Sequence, residues 1–222
     1  MKKTAKTEKE LLNIYGLLRA RFGHLNWWPG DTPFEVMVGA VLTQNTAWTN
    51  VEKAIENLKA EDMLDPYAII KCDIRKLRRL VRPSGYYNQK ADRLKILSRF
   101  FIDEYGGSVK KMKMEDTKVL REKLLSVKGI GPETADSILL YALEKPVFVV
   151  DAYTRRAFSR LGYLPADAGY YDTQELFVKN LPRDVELYND FHAQIVYLGK
   201  DYCRTKPLCE NCPLAALALC RV

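Results

Sequence analysis

Apolar residues recur every three to four positions along most of this chain, the period of a helix with one face packed. Leu11, Ile14, Tyr15, Leu18 and Phe22 form the first such stripe, and Thr7 with Glu10 ahead of it has the spacing of a capping box. The same pattern predicts helices over 34–43, 48–58, 74–81, 89–105, 115–127, 133–143, 152–161 and 173–181, and a last one ending near Leu198. Turn residues punctuate them at Pro29-Gly30, Pro83-Ser84-Gly85, Gly106-Gly107 and 164–169. No stretch alternates as a half-buried strand would, and no segment repeats. The expected fold class is all-α.

One block combines a turn with isolated chemistry. Lys128-Gly129-Ile130-Gly131 separates two helical patterns, framed by Leu125, Val127, Ile130, Ala135, Ile138 and Leu139. Glycines at both turn positions allow positive φ and a close backbone approach. Consecutive amides opening a helix suit a phosphate oxygen. Twenty residues after Gly131, behind the apolar run Val147-Phe148-Val149-Val150, stands a solitary carboxylate, Asp151. Asp151 precedes a helical pattern, so it reads either as that helix's N-cap or as a catalytic acid. The two roles are compatible.

This block resembles the helix-hairpin-helix DNA glycosylases of the endonuclease III superfamily, and the likeness runs from about Trp28 to Cys220. Trp27-Trp28-Pro29, Gly39 to Thr46 (GAVLTQNT) and Arg82 to Ala91 (RPSGYYNQKA) look most like the 3-methyladenine DNA glycosylase III branch. The resemblance implies a six-helix domain over about 30–140 containing the hairpin (124–143). A second helical domain would comprise 1–29 and 141–222, with Asp151 at the cleft between the two. It also implies that Lys128, Gly129, Ile130 and Gly131 hold a DNA phosphate, that Gln44 fills the gap left by a flipped base, and that Asp151 is catalytic. Bifunctional members carry a lysine where this chain has Glu133. A carboxylate cannot form a Schiff base, so strand-cutting lyase activity is not expected.

Trp27, Trp28 and Trp48 are the chain's three tryptophans and flank the Gly39–Thr46 motif. They and Glu133 are candidates for the base pocket, since a cationic alkylated purine over a tryptophan face gains about 0.5–2 kcal/mol. Core packing is the alternative for the tryptophans, and a polar helix terminus for Gln44. Four of the five cysteines, Cys203, Cys209, Cys212 and Cys220, lie within eighteen residues with gaps of five, two and seven. Such thiolates can close a loop around an iron-sulfur cluster or zinc. The resemblance favours [4Fe-4S], although only the middle Cys-x-x-Cys keeps the family's spacing. Cys72 reads as a buried thiol, and His24 and His192 as too isolated for a metal site.

Composition narrows the partners. The formal charge of +7 on 222 residues favours an acidic partner such as double-stranded DNA without identifying one. No apolar run approaches the ~20 residues of a membrane helix, and the basic N-terminus lacks the apolar core of a signal peptide. A cytoplasmic monomer is expected. The sequence therefore points to a monofunctional glycosylase for alkylated purines such as 3-methyladenine. The alternatives are an enzyme for oxidised or mismatched pyrimidines and a non-catalytic DNA-binding or redox-sensing module.

Overall fold

The computed structural model describes residues 2–217 and residue 220, and every regular element among them is helical. In chain order the α-helices are α1 (Lys2–Phe22), α2 (Pro33–Leu42), α3 (Trp48–Ala60), α4 (Pro66–Lys71), α5 (Ile74–Leu80) and α6 (Tyr87–Tyr105). There follow α7 (Val109–Met114), α8 (Thr117–Ser126), α9 (Pro132–Ser137), α10 (Ala152–Arg160), α11 (Tyr170–Val178) and α12 (Val185–Asp201). A π-helical turn, Ile138–Ala142, continues α9.

Short polar residues set most of the helix starts. Thr32, Asp65, Asp73, Ser108, Asp116, Asp151 and Asp184 each accept a hydrogen bond from a first-turn amide, which satisfies donors the helix itself leaves open. Gly106 ends α6 in the left-handed conformation that costs glycine nothing. The capping box at Thr7 is not used as one, because α1 already runs from Lys2 and leaves Thr7 inside the helix. Two helices escape the periodic reading. α4 and α7 span six residues each, too few for a stripe to recur, and are held by the Asp65 and Ser108 caps. Lys95 closes α4 from the other end, donating to the carbonyls of Ile70 and Cys72. Cys72 is the C-cap of α4 and only half-buried, not the core thiol its apolar neighbours imply.

The chain divides into two compact units, one of residues 1–27 and 146–222 and the other of residues 28–145. The 28–145 unit contains α2 to α9. Its core takes the nearly continuous apolar run of α2, with Met37, Val38, Val41 and Leu42 fully buried and Phe34 stacked on Phe101 of α6 at 5.8 Å. The other unit joins α1 to α10–α12. Phe148, Phe158, Phe177 and Phe191 form its aromatic centre, with Phe148 and Phe177 stacked at 3.9 Å. The Val147–Val150 run belongs to no helix or strand. Phe148, Val149 and Val150 are buried, and Gln174 donates to the Phe148 carbonyl, so the residue that follows emerges at a fixed place.

Candidate active site

In the 28–145 unit, α8 and α9 form the predicted hairpin. A bidentate ion pair ties them, with Arg121 Nε 2.6 Å from Asp136 Oδ1 and Nη2 3.0 Å from Oδ2, and Asp136 fully buried. The two turn glycines differ. Gly129 has φ +91°, and a Cβ there would lie 2.6 Å from Arg93 Cγ, so backbone and neighbour both exclude a side chain. Gly131 has φ −94° and ψ 178°, an extended conformation open to any residue, with nothing within 4 Å of where a Cβ would lie. The positive φ that glycine allows is thus used at Gly129 and not at Gly131, which serves as the N-cap of α9 ahead of Pro132.

The Ile130 amide donates to Val127 O and its side chain is buried, so this residue builds the turn rather than its outer surface. The amides of Gly129 and Gly131 donate to no described residue. Lys128 is exposed beside them. Gln44 lies against the same turn. Its Nε2 donates to Gly129 O at 3.0 Å and to Thr134 Oγ1 at 2.8 Å, and Arg93 donates to its Oε1. Periodicity could not show Arg93, because its contacts lie far away in sequence.

Trp28 and Trp48 come together edge to face at 5.1 Å, and Trp28 also meets Tyr141 at 5.1 Å. Gly39 lets the Trp28 indole lie close, since a Cβ there would be 3.2 Å from its Nε1. Trp48 Nε1 donates to Glu52 Oε1 at 2.7 Å, one turn along α3. The two rings border a cavity of about 220 Å³ that also meets Asp31, Glu35, Glu52, Glu56 and Lys59. Glu133 does not line this cavity and is exposed on the first turn of α9. Trp27 belongs to the other unit, where it lines a cavity with His24, Asn26, Glu186, Asn189 and Asp190. The three tryptophans therefore do not form one cluster within either unit.

Asp151 opens α10 in the 1–27/146–222 unit. Its two oxygens have different surroundings. Oδ1 accepts from the Thr154 amide at 2.7 Å and the Thr154 hydroxyl at 2.8 Å, which is the cap. Oδ2 lies 3.8 Å from Nε2 of His192 on α12, and the side chain keeps 13% exposure. Burial lowers the pKa of His192, and the nearby Asp151 charge opposes that shift. A histidine that looks isolated in sequence thus faces the candidate catalytic acid.

The same helix holds the cysteine loop. Arg156 donates to the carbonyls of Cys203 and Gly199, and Arg160 to those of Arg204 and Thr205 and to Cys203 Sγ at 3.4 Å. Burial, with the neighbouring thiols adding to it, pushes the pKa values of Cys212 and Cys220 up. Among the described residues no three His, Cys, Asp or Glu side chains are drawn to one point as finished ligands. As a donor set, four soft thiols in one loop fit an iron-sulfur cluster or zinc.

Comparison with known proteins decides the family: residues 38–183 match the HhH-GPD superfamily base excision DNA repair proteins. The chain belongs to that superfamily. A Methanocaldococcus jannaschii protein named as a DNA repair glycosylase is 52% identical over 94% of this chain and 96% of its own. Endonuclease III of Thermotoga maritima is 34% identical over 81% of this chain and 79% of its own. Among solved structures, H. pylori 3-methyladenine DNA glycosylase bound to 1,N6-ethenoadenine superposes with a TM-score of 0.73. It is 35% identical, and the match covers 89% of this chain and 97% of that one. A non-covalent endonuclease III–DNA complex shares the fold, with a TM-score of 0.82, 24% identity and coverage of 96% and 95%. This superfamily member is thus an enzyme of base excision repair that acts on DNA. No described helix is long and apolar enough to cross a membrane.

Proposed function

We propose that this protein is a monofunctional DNA N-glycosylase that removes flipped alkylated purines, with 3-methyladenine the leading substrate. The observation that carries this reading is the division of labour in Asp151. Its Oδ1 is spent on the cap, while Oδ2 takes no part in the cap and the carboxylate keeps 13% of its surface exposed. As the N-glycosidic bond breaks, its electrons leave with the base and positive charge develops at the sugar. A fixed carboxylate stabilises that charge and can orient or deprotonate the attacking water, whose oxygen joins the anomeric carbon. An alkylated purine is already cationic and departs neutral, so no general acid is needed.

The hairpin contributes binding. The Gly129 and Gly131 amides, with Lys128 beside them, would hold a phosphate of the damaged strand. Trp28 and Trp48 supply π faces suited to a cationic base, with Trp27 as a further candidate. Gln44 would fill the vacated stack, which requires it to release Gly129 and Thr134. Glu133 in place of a lysine leaves the hairpin without the amine that a lyase step uses. The likeness to the H. pylori 3-methyladenine glycosylase supports the same substrate class. Cys203, Cys209, Cys212 and Cys220 would hold the [4Fe-4S] cluster, with zinc the other occupant. When bound, the cluster supplies a cross-link that fixes the loop carrying Arg204 and Lys206.

Relatives named endonuclease III favour a second reading, an enzyme for damaged or mismatched pyrimidines. Incubation with methylated duplex DNA separates the two. Released 3-methyladenine, with strand breaks only after alkali, is the expected result. Breaks without alkali would overturn the monofunctional assignment, and preference for a damaged pyrimidine in a lesion panel would promote the second reading.

A further inference from the structure

The Asp151 carboxylate has two oxygens in different surroundings. Oδ1 is pinned by both hydrogen-bond donors of Thr154, a residue with no exposed surface. That pinning leaves one freedom, rotation of Oδ2 about the fixed oxygen. The group across from Oδ2 is the His192 imidazole, with its Nε2 3.8 Å away and the residue only 4% exposed. We propose that His192 is a positioning residue for the reaction, confining Oδ2 of Asp151 in the orientation from which it acts. This inference rests on the catalytic reading of Asp151.

The packing around the imidazole makes it a rigid stop. Residues Tyr188 to Val196 of α12 are buried except for Asn189. Gly199 on the same helix sits where any Cβ would strike the Tyr153 ring of α10, so the two helices cannot slide apart without losing that close fit. A side chain on one therefore has a fixed relation to a side chain on the other. Charge matters as well. Burial favours the neutral ring, and a neutral imidazole constrains the carboxylate without cancelling the negative charge that faces the sugar. A permanent cation in the same place would pair with Asp151 and weaken that charge. The arrangement follows the logic of an orienting second group behind a catalytic one, although the nature of the groups differs.

The test uses single-turnover base release from methylated duplex DNA, with DNA affinity and thermal stability measured on the same proteins. His192→Leu should slow release on the order of a hundredfold, the scale of a small misplacement of a reacting group, while DNA affinity stays within about twofold. His192→Gln, which restores a polar group at similar reach, should recover most of the rate. Two folded variants with the wild-type rate would overturn the proposal. Equal slowing in both, in step with lost stability, would also overturn it, by showing that His192 is only packing. Asp151→Asn distinguishes the underlying reading: retained release there would remove the catalytic role of Asp151, and with it the inference. Abolished release in Asp151→Asn alongside an unaffected His192→Leu would refute the His192 role alone.

Discussion

Gln44 Nε2 donates to the carbonyl of Gly129 at 3.0 Å, so the residue just beyond α2 is tied to the apex of the hairpin. That bond, the +91° φ and the Arg93 stem together fix Gly129, whereas Gly131 is free of all three. The two glycines should therefore fail differently. Gly129→Ala should lose about 1 kcal/mol or more of stability, since its φ is unfavourable and Arg93 must move. Gly131→Ala should unfold within about 1 kcal/mol of wild type, because the conformation is ordinary and the space empty. Its added methyl would nonetheless stand where a phosphate must approach the amides, so DNA affinity should fall. Denaturant melts paired with DNA titrations check both, and a Gly131→Ala protein with full affinity would count against phosphate binding at this turn.

Arg121 and Asp136 link the two helices of the hairpin from inside. Asp136 is fully buried and both of its oxygens face the guanidinium. Removing one partner leaves a buried charge uncompensated, so Arg121→Ala should cost ~3–5 kcal/mol. Replacing both residues by apolar ones of similar volume should cost much less. A double-mutant cycle on chemical denaturation measures the difference. Equal losses for the single and double replacements would mean that the pair contributes through packing alone.

Which parts of this molecule the sequence reveals depends on the range of the interaction. Helices such as α3 and α6 announce themselves because every turn repeats the same buried face, whereas α12 is buried on all sides from Asp190 to Val196 and shows only its end. The hairpin is legible because Gly129 and its apolar frame form one contiguous block. The capping role of Asp151 was readable too, since its partner Thr154 is three residues away. What stayed hidden joins distant segments. His192 faces Asp151 across forty-one positions, Arg93 reaches Gln44 across forty-nine, and Lys90 reaches the Leu42 carbonyl across forty-eight. No spacing rule announces such pairs. Trp48 and Glu52 are the exception, a helical i,i+4 pair that the sequence displays to a reader who looks for it.

The cysteine loop gives a prediction about metal. Arg156 and Arg160 of α10 hold the first part of the loop through main-chain carbonyls, and the four thiols must supply the rest. Purified protein should contain iron and inorganic sulfide in equal amounts. Cys212→Ser should lose both and become protease-sensitive within 203–217, while α10 and Asp151 stay folded. Zinc in stoichiometric amount with no sulfide would replace the cluster assignment by a structural zinc site. Retention of iron by Cys212→Ser would exclude that cysteine as a ligand.

Lys90 provides the pH prediction. Its side chain is buried, and Nζ donates to Leu42 O at 2.8 Å, Ser84 O at 2.6 Å and Thr46 Oγ1 at 3.2 Å, all of them neutral acceptors. Burial first, and the nearby Arg93 charge second, bring its pKa down from 10.5 to about 8. The folded pKa is below the unfolded one, so between about pH 8 and 10.5 the unfolded chain holds a proton that the folded chain has released. Stability from this group therefore rises with pH through that window and is lost again as pH falls back through 8. Below 8 the lysine is charged in both states and its contribution no longer changes. Lys90→Met lacks the term, and other alkaline titrations, such as the raised hydroxyls of Tyr105 and Tyr163, cancel in the comparison. Unfolding free energies of the two proteins measured from pH 7.5 to 10.5 should move in wild type's favour as pH increases. A constant difference across that range would show that Lys90 keeps its ordinary pKa and that water reaches it in the folded protein.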